Sequence, residues 1–306
     1  MTKTRTAELW PKSYLVKIGC PICSDKNFTK VYPLIYPRIV KCRGCGLVYT
    51  NPRLKEKYLS KIYNENYFNN ENSEMLGYEN YIADQIKIEK TFEKRIKSLS
   101  KKVSLRSGNL LDIGCAFGFF LNVVKKYGYT ANGVEISEFA VKHARERFNH
   151  RVILGNFDNI KISDKYDCVT MWDVIEHVPD PKFTLRKIST LLNKSGLLII
   201  STPDVGSIPA KLTKHRWVGF KLSDEHLTYF SIFTLQKLLE DTGFEIIDHR
   251  STGKYVSLDM LSDRIGLYFP LLGKMMLFFV RILKLKMTLY VSSMDIMMVC
   301  ARKKQS

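Results

Sequence analysis

The 306-residue sequence has no uninterrupted apolar run of the roughly 20 residues needed to cross a bilayer as a helix. Its most apolar stretch, residues 265–285, is broken by Pro270, Lys274, Arg281 and Lys284, which argues against a spanning helix there. The first twenty residues lack an apolar core and a small-residue cleavage site, so no secretory signal is expected. Acidic residues are few: 30 Asp and Glu stand against 48 Lys and Arg, a formal net charge of +18. The seven cysteines form no disulfide pattern. Four fall in two C-x-x-C pairs, while Cys115, Cys168 and Cys300 stand alone in turn or strand positions and are expected to be buried. A reducing cytoplasm fits this usage. The length suits one full α/β domain and a smaller module.

The basic excess is uneven. Residues 1–60 carry 12 bases and 3 acids, and residues 206–306 carry 15 and 9, whereas residues 111–205 carry 12 and 11. Two readings fit a near-neutral centre with basic ends. One is an anionic partner such as nucleic acid, anionic lipid or a phosphorylated small molecule; the other is a solvated basic surface.

Within the first basic segment, Cys20-Pro-Ile-Cys23 and Cys42-Arg-Gly-Cys45 are separated by 18 residues. Each pair can turn two thiolates toward one metal, and two such knuckles complete a closed tetrahedral site for a structural zinc ion. Phe28, Val31, Ile39 and Val40 lie between them at roughly strand spacing, which predicts a ribbon too small to hold a core without metal. Such a ribbon can contact nucleic acid, cover a substrate or form an interface.

The most informative stretch is Asn109-Leu-Leu-Asp-Ile-Gly-Cys-Ala-Phe-Gly118, followed by Gly133-Val-Glu-Ile-Ser137. It reads as a buried strand, a small-residue turn, a helix starting near Phe117, and a second strand ending in an acid. That is a nucleotide-type site opening a doubly wound sheet. Gly114 and Gly118 let backbone approach a ligand. The spacing is G-x-A-x-G rather than the dinucleotide G-x-G-x-x-G. Asp112 suits a ligand with a positive end, and Glu135, 21 residues after Gly114, can accept both hydroxyls of a ribose. Together these point to S-adenosyl-L-methionine. Ala116 is tolerated in such a turn if its φ is negative.

The segments LLDIGCAFGFFL, GVEIS, YDCVTMWDVIEHVPDP and NKSGLLIISTPD resemble the ordered motifs of class I S-adenosylmethionine-dependent methyltransferases. The likeness is closer to the branch that includes ubiquinone-biosynthesis O-methyltransferases and runs from about residue 56 to 250. It implies a Rossmann-like α/β fold with a seven-stranded sheet, the last strand antiparallel, behind a small four-cysteine ribbon. Expected strands are 109–114, 132–136, 151–155, 166–172, 196–202, 244–250 and 295–301. Expected units are the ribbon (1–55), a Tyr-rich helical cap or linker (56–105) and the methyltransferase domain (106–306), with an apolar insertion at about 255–290.

The same likeness extends to individual residues. Asp112, Gly114, Cys115, Gly118, Glu135 and Ile136 would line the cofactor. Asn156 would bond the adenine amine and Phe157 cover the ring, with Trp172 and Asp173 at the end of the fourth strand. The Tyr-rich segment, with Tyr58, Tyr63, Tyr67, Phe68, Tyr78 and Tyr81, would lie over the methionine end or pack on the core. A helix with Ile88, Phe92, Ile96, Leu99 and Val103 on one face follows it.

Trp172-Asp173-Val174 is not the N-P-P-Y turn of DNA adenine enzymes, and no cysteine there could attack a pyrimidine, so base methylation is disfavoured. A hydroxyl acceptor needs its proton removed, a task for histidine. His226 is the first candidate base, with His177 and His215 in loops on the same side. Asp173, Glu176 and His177 could alternatively hold a divalent metal, as in the resembled branch, or brace the turn before Pro179.

The basic residues of 206–224 with Trp217 suit a small or lipid-linked anionic acceptor. The apolar 265–285 stretch fits a core-packed helix best; a lid, a homodimer interface and a peripheral membrane contact are the alternatives. The expected function is methyl transfer to oxygen of a small, lipid- or glycan-linked acceptor, with RNA methylation guided by the ribbon as the alternative.

Overall fold

The computed structural model describes residues 10–59, 81–105, 107–222 and 225–304. Tyr63, Tyr67, Phe68 and Tyr78 lie outside them. A short strand, Leu15–Val16, pairs with Arg53–Leu54, and between them in sequence lie three antiparallel strands, β1 (Phe28–Tyr32), β2 (Tyr36–Cys42) and β3 (Val48–Thr50). After α1 (Gln85–Ser100) come β4 (Asn109–Ile113), α2 (Phe119–Lys125), β5 (Thr130–Glu135), α3 (Glu138–Phe148) and β6 (Val152–Leu154). Then follow β7 (Tyr166–Trp172), α4 (Pro181–Leu191), β8 (Leu192–Pro203), α5 (Ile208–Thr213), β9 (Thr228–Tyr229), α6 (Ile232–Glu240) and β10 (Phe244–Ser251). The last elements are β11 (Lys254–Ser257), α7 (Leu258–Gly266), α8 (Pro270–Ile282), β12 (Thr288–Val291) and β13 (Ile296–Lys303).

Seven strands form the main sheet in the order β10-β13-β8-β7-β4-β5-β6, and β13 runs antiparallel to both neighbours. All seven expected strands are present. The central ones, β4, β7 and β8, were legible because strands covered on both faces are rich in apolar residues. Alternate residues feed two cores. Leu111, Ile113, Val169, Leu198 and Ile200 face α4 and α6, while Leu110, Cys168 and Ile199 face α1, α2 and α3. The order reverses between β4 and β7, and ligand clefts of doubly wound sheets open at such a point.

Two local details differ from expectation. Helix α2 begins at Phe119, with Gly118 as its N-cap at a φ of +76°. Ala116 has a φ of +46°, in the left-handed region, rather than a negative one. Its N–H donates to Glu135 Oε2 at 2.9 Å, a charge-assisted bond that offsets the roughly 1–2 kcal/mol of this conformation.

The ribbon is part of the domain's packing. Cys20, Ile22, Cys42, Leu47 and Tyr49 join the same core as α4 and α6, and β3 pairs with β9 through Thr228–Tyr49 and Tyr229–Val48. Ile39 and Val40 are buried as expected, but Phe28 at the strand edge is exposed. Cys115, Cys168 and Cys300 are buried free thiols.

Candidate functional site

A cavity of about 900 Å³ lies at the switch point, within the roughly 300–1,000 Å³ usual for ligand sites. Its floor is the turn after β4. Asp112 is buried at the end of that strand and accepts from Thr170 Oγ1 at 2.6 Å. Burial pushes its carboxyl up to about 8, Thr170 opposes this, and the Glu135 charge adds to it. Glu135 accepts from Ala116 N through Oε2 at 2.9 Å and from Ser137 N through Oε1 at 2.8 Å. It thus clamps the glycine turn to the start of α3 while lining the cavity.

Gly114, Cys115 and Ile136 complete this wall. Gly118 does not line the cavity; it turns the chain into α2, where a Cβ would lie 2.6 Å from His150 Cδ2. Asn156 and Phe157 form a second wall after β6. Asn156 Oδ1 accepts from Asp158 N at 3.0 Å and its amide donates to Glu56 Oε1 at 3.3 Å. Lys187 Nζ sits 4.8 Å over the Phe157 ring. At the end of β7, Trp172 packs against Phe92 and Phe120, and Asp173 Oδ1 accepts from Ser201 Oγ at 2.8 Å. Tyr81 lines the cavity and stacks on Phe119, whereas Tyr58 stacks on Tyr14 at 4.0 Å.

His177 and His226 face each other with ring centroids 4.9 Å apart. His177 Nδ1 lies 3.0 Å from Glu225 O and His226 Nδ1 lies 3.2 Å from Gly219 O. A carbonyl only accepts, so each Nδ1 carries the proton and each Nε2 the lone pair. Burial depresses both imidazoles, His177 to about 4 and His226 well below its ordinary value, where His177 also contributes. Buried Glu176 completes the group, and ligand atoms of all three lie within 4.8 Å of one another. Glu176 Oε2 has no hydrogen-bond partner among the described residues, and burial, followed by the Asp173 charge, raises its carboxyl well above the usual range. Two neutral imidazoles and one orphaned buried carboxylate suit a divalent cation. Asp173, expected in this set, is not among the three.

The ribbon holds this corner. Thr50 Oγ1 donates to His226 O at 2.9 Å, and Arg53 Nη1 donates to Pro179 O at 2.8 Å. The four cysteines of the ribbon have their sulfurs within 4.8 Å of one another, with Cys20–Cys45 at 3.4 Å and Cys23–Cys42 at 3.5 Å. Four thiolates about 2.3 Å from one zinc ion sit about 3.8 Å apart, so the donor set fits a closed structural site.

The basic loop 206–224 is placed differently from expectation. Trp217 is buried, donates to Asp295 Oδ2 at 2.9 Å and lines the cavity, but Lys211, Lys214, His215 and Arg216 are exposed and do not. The cations that line the cavity are Lys57, Arg95, Lys254 and Arg264. Arg95 is buried beside Trp172, 5.4 Å from its ring centroid, and its Nε has no hydrogen-bond partner among the described residues. One signal for it was in the sequence, since Arg95 falls inside the apolar stripe of α1. Nothing marked Lys254 or Arg264, which arrive from the insertion.

A family model described as a methyltransferase domain matches residues 85–249, more than half of the chain. The ubiquinone biosynthesis O-methyltransferase of Coxiella burnetii is 27% identical over 114 residues, 35% of this chain and 49% of the relative. The Aeromonas salmonicida enzyme of the same name is 31% identical over 109 residues, 33% and 46% of the two chains. The chain thus spans about half the length of the curated relatives it matches. The crystal structure of magnesium protoporphyrin IX methyltransferase from Synechocystis PCC 6803 with bound SAH shares the fold, with a TM-score of 0.54 at 16% identity over 82% of this chain and 100% of that one. With a seven-stranded sheet whose final strand is antiparallel, a cavity at its switch point and a family match over most of the domain, the chain belongs to the methyltransferase domain family and has the fold of class I S-adenosylmethionine-dependent methyltransferases.

Proposed function

We propose that this enzyme methylates an oxygen of a small, lipid- or glycan-linked acceptor that carries an anionic group. The observation behind this reading is one continuous cavity lined by the Asp112–Glu135 turn, by His177 and His226, and by Arg95, Lys254 and Arg264. Glu135 takes the ribose hydroxyls, Asp112 faces the amine end of the cofactor, and Asn156 and Phe157 hold the adenine. Trp172 and Asp173 flank the methyl donor.

The sulfonium is already a good leaving group, so alignment and exclusion of water carry most of the catalysis. As the new O–C bond forms and the S–C bond breaks, the acceptor's proton passes to His226 Nε2, with His177 beside it. A divalent cation at Glu176, His177 and His226 would instead supply direct stabilisation of the acceptor oxyanion.

Lys254 supports the anionic acceptor. Burial, and then the neighbouring Arg264, lower its ammonium well below the usual range; Arg95 adds to this, while Asp173 and Asp295 oppose it. A carboxylate or phosphate among these cations would restore the charged form. The same reading assigns a structural zinc ion to Cys20, Cys23, Cys42 and Cys45.

A second reading, RNA methylation, is favoured by the exposed Lys26, Lys30, Lys41 and Arg43 on the ribbon. The test uses full-length protein, methyl-labelled S-adenosylmethionine and cell extract split into lipid, soluble small-molecule and RNA fractions. Label in an acidic small molecule or lipid, lost at least tenfold in Lys254→Met with SAH affinity unchanged, supports the main reading. Label confined to RNA overturns it.

A further inference from the structure

Between β10 and β13 the chain leaves the main sheet and returns as an arm. β11 and β12 pair antiparallel, and α7 and α8 form a hairpin between them. The two helices touch through backbone: a Cβ on Gly273 would lie 2.4 Å from Gly266 Cα. Within α8 only Gly273 and Val280 are buried, with Met276 and Leu277 half-buried. At 3.6 residues per turn these positions form one stripe, which is the face turned inward.

The outward face is equally apolar. Leu271, Leu272, Met275, Phe278, Phe279 and Ile282 are all exposed, Phe278 at 59% and Phe279 at 54%. More than half of the large apolar side chains exposed among the described residues lie between Phe269 and Met294. This corrects the expectation of a core-packed helix. An apolar face this continuous normally meets a partner or a membrane.

Charge selects the partner. From Asp263 to Asp295 the chain has no intervening acid, but it carries Arg264, Lys274, Arg281, Lys284 and Lys286. Arg281 Nε reaches back to Asp259 at 3.9 Å and Arg264 lines the cavity; Lys274, Lys284 and Lys286 are exposed. A twofold contact between two copies through this face would set these lysines against the same acid-free basic surface of the second copy. An anionic bilayer has no such conflict. It accepts the Phe, Leu and Met side chains at its acyl boundary and the ammonium groups at its phosphates.

We propose that α8 and the turn into β12 dock this protein on an anionic lipid surface, with α8 lying in the plane of the interface. No helix among the described residues is long and apolar enough to cross the membrane. The same arm supplies Lys254 and Arg264 to the cavity, and Arg216 donates to Leu267 O and Tyr268 O at its hairpin turn at 3.3 and 3.1 Å. A docked arm therefore sets a wall of the cavity beside the lipid. Docking is independent of which acceptor is methylated.

The test is flotation of full-length protein with vesicles of phosphatidylcholine alone and of equal parts phosphatidylcholine and phosphatidylglycerol. Binding to the anionic vesicles is expected, at least tenfold stronger than to the neutral ones. Each of Lys274→Gln, Lys284→Gln and Lys286→Gln should weaken it on the order of fivefold. Phe278→Ser with Phe279→Ser should weaken it more than tenfold while SAH affinity stays at the wild-type value. Failure of the wild type to float with anionic vesicles overturns the proposal, as does binding indifferent to phosphatidylglycerol. A wild-type dimer that the double Phe variant converts to a monomer assigns the face to a second copy and overturns it equally.

Discussion

Replacing Glu135 by Gln is the sharpest probe of the cofactor turn. The carboxylate accepts two backbone N–H groups, one on each oxygen, from Ala116 at 2.9 Å and Ser137 at 2.8 Å. An amide has one oxygen, so one N–H must face an NH2 group in the variant. One charge-assisted bond worth about 1.5–3 kcal/mol is lost and the other becomes an ordinary bond of about 0.5–1.5 kcal/mol. Ala116 at a φ of +46° loses its anchor if its N–H is the abandoned one. The ribose hydroxyls lose one acceptor at the same atom. The expected penalty on cofactor binding is about 1.5–3 kcal/mol, roughly a 10- to 150-fold rise in the dissociation constant for SAH. Isothermal titration of full-length protein with SAH reads this, and thermal unfolding without ligand reads the clamp separately. A lower melting temperature with unchanged SAH affinity would reduce Glu135 to a loop clamp. Unchanged values in both assays would refute the reasoning altogether.

Asp112 has the opposite sign of pH dependence from a salt-bridged carboxylate. Its folded value of about 8 lies above the ordinary 3.8, so its contribution to stability is full below about pH 4 and is lost as pH rises through 8. Asp112→Asn should therefore melt higher than wild type at pH 8.5 without ligand, yet bind S-adenosylmethionine at least tenfold more weakly. Wild-type affinity should climb as pH rises toward 8 and the variant's should not; matching pH profiles would sink this assignment. Gly118→Ala combines a φ of +76° with a contact 2.6 Å from His150 Cδ2, and should cost about 1–3 kcal/mol in denaturant unfolding; a neutral result would mean that the turn relaxes freely. Cys42→Ser should drop the zinc content from one ion per chain to none by elemental analysis. Because β3 supports the His226 segment, it should also lower methyl transfer; full activity without zinc would remove the ribbon from the site's construction.

The fold was readable because the central strands β4, β7 and β8 carry local apolar runs. The cofactor turn was readable because its demands, a small residue here and an acid there, are met by residues close in sequence. The four-cysteine cluster has the same character, with four thiols at knuckle spacing. Arg95 was half-readable, as a charge inside the apolar stripe of α1, but its role depends on the cavity that Trp172 and the insertion complete around it.

Other features needed the third dimension. Residues 206–224 looked like an anion-binding loop, yet Lys211 and Lys214 are exposed and Trp217 is buried. A list of basic residues does not say which side of a loop each occupies. His177 and His226 are 49 positions apart, and their tautomers follow from carbonyls at Glu225 and Gly219 that only the folded chain brings to them. The ribbon, read as a separate module, shares a core with α4 and α6 and braces the histidine corner.

The sequence by itself thus determined the strand order along the chain, the class of cofactor and the clustering of four cysteines, since short-range spacing and periodicity encode all three. Tertiary structure decided which cations line the cavity, which histidine nitrogens carry lone pairs and which face of α8 stays bare. These depend on burial, and burial of a side chain is set by elements far away in the chain that happen to pack over it.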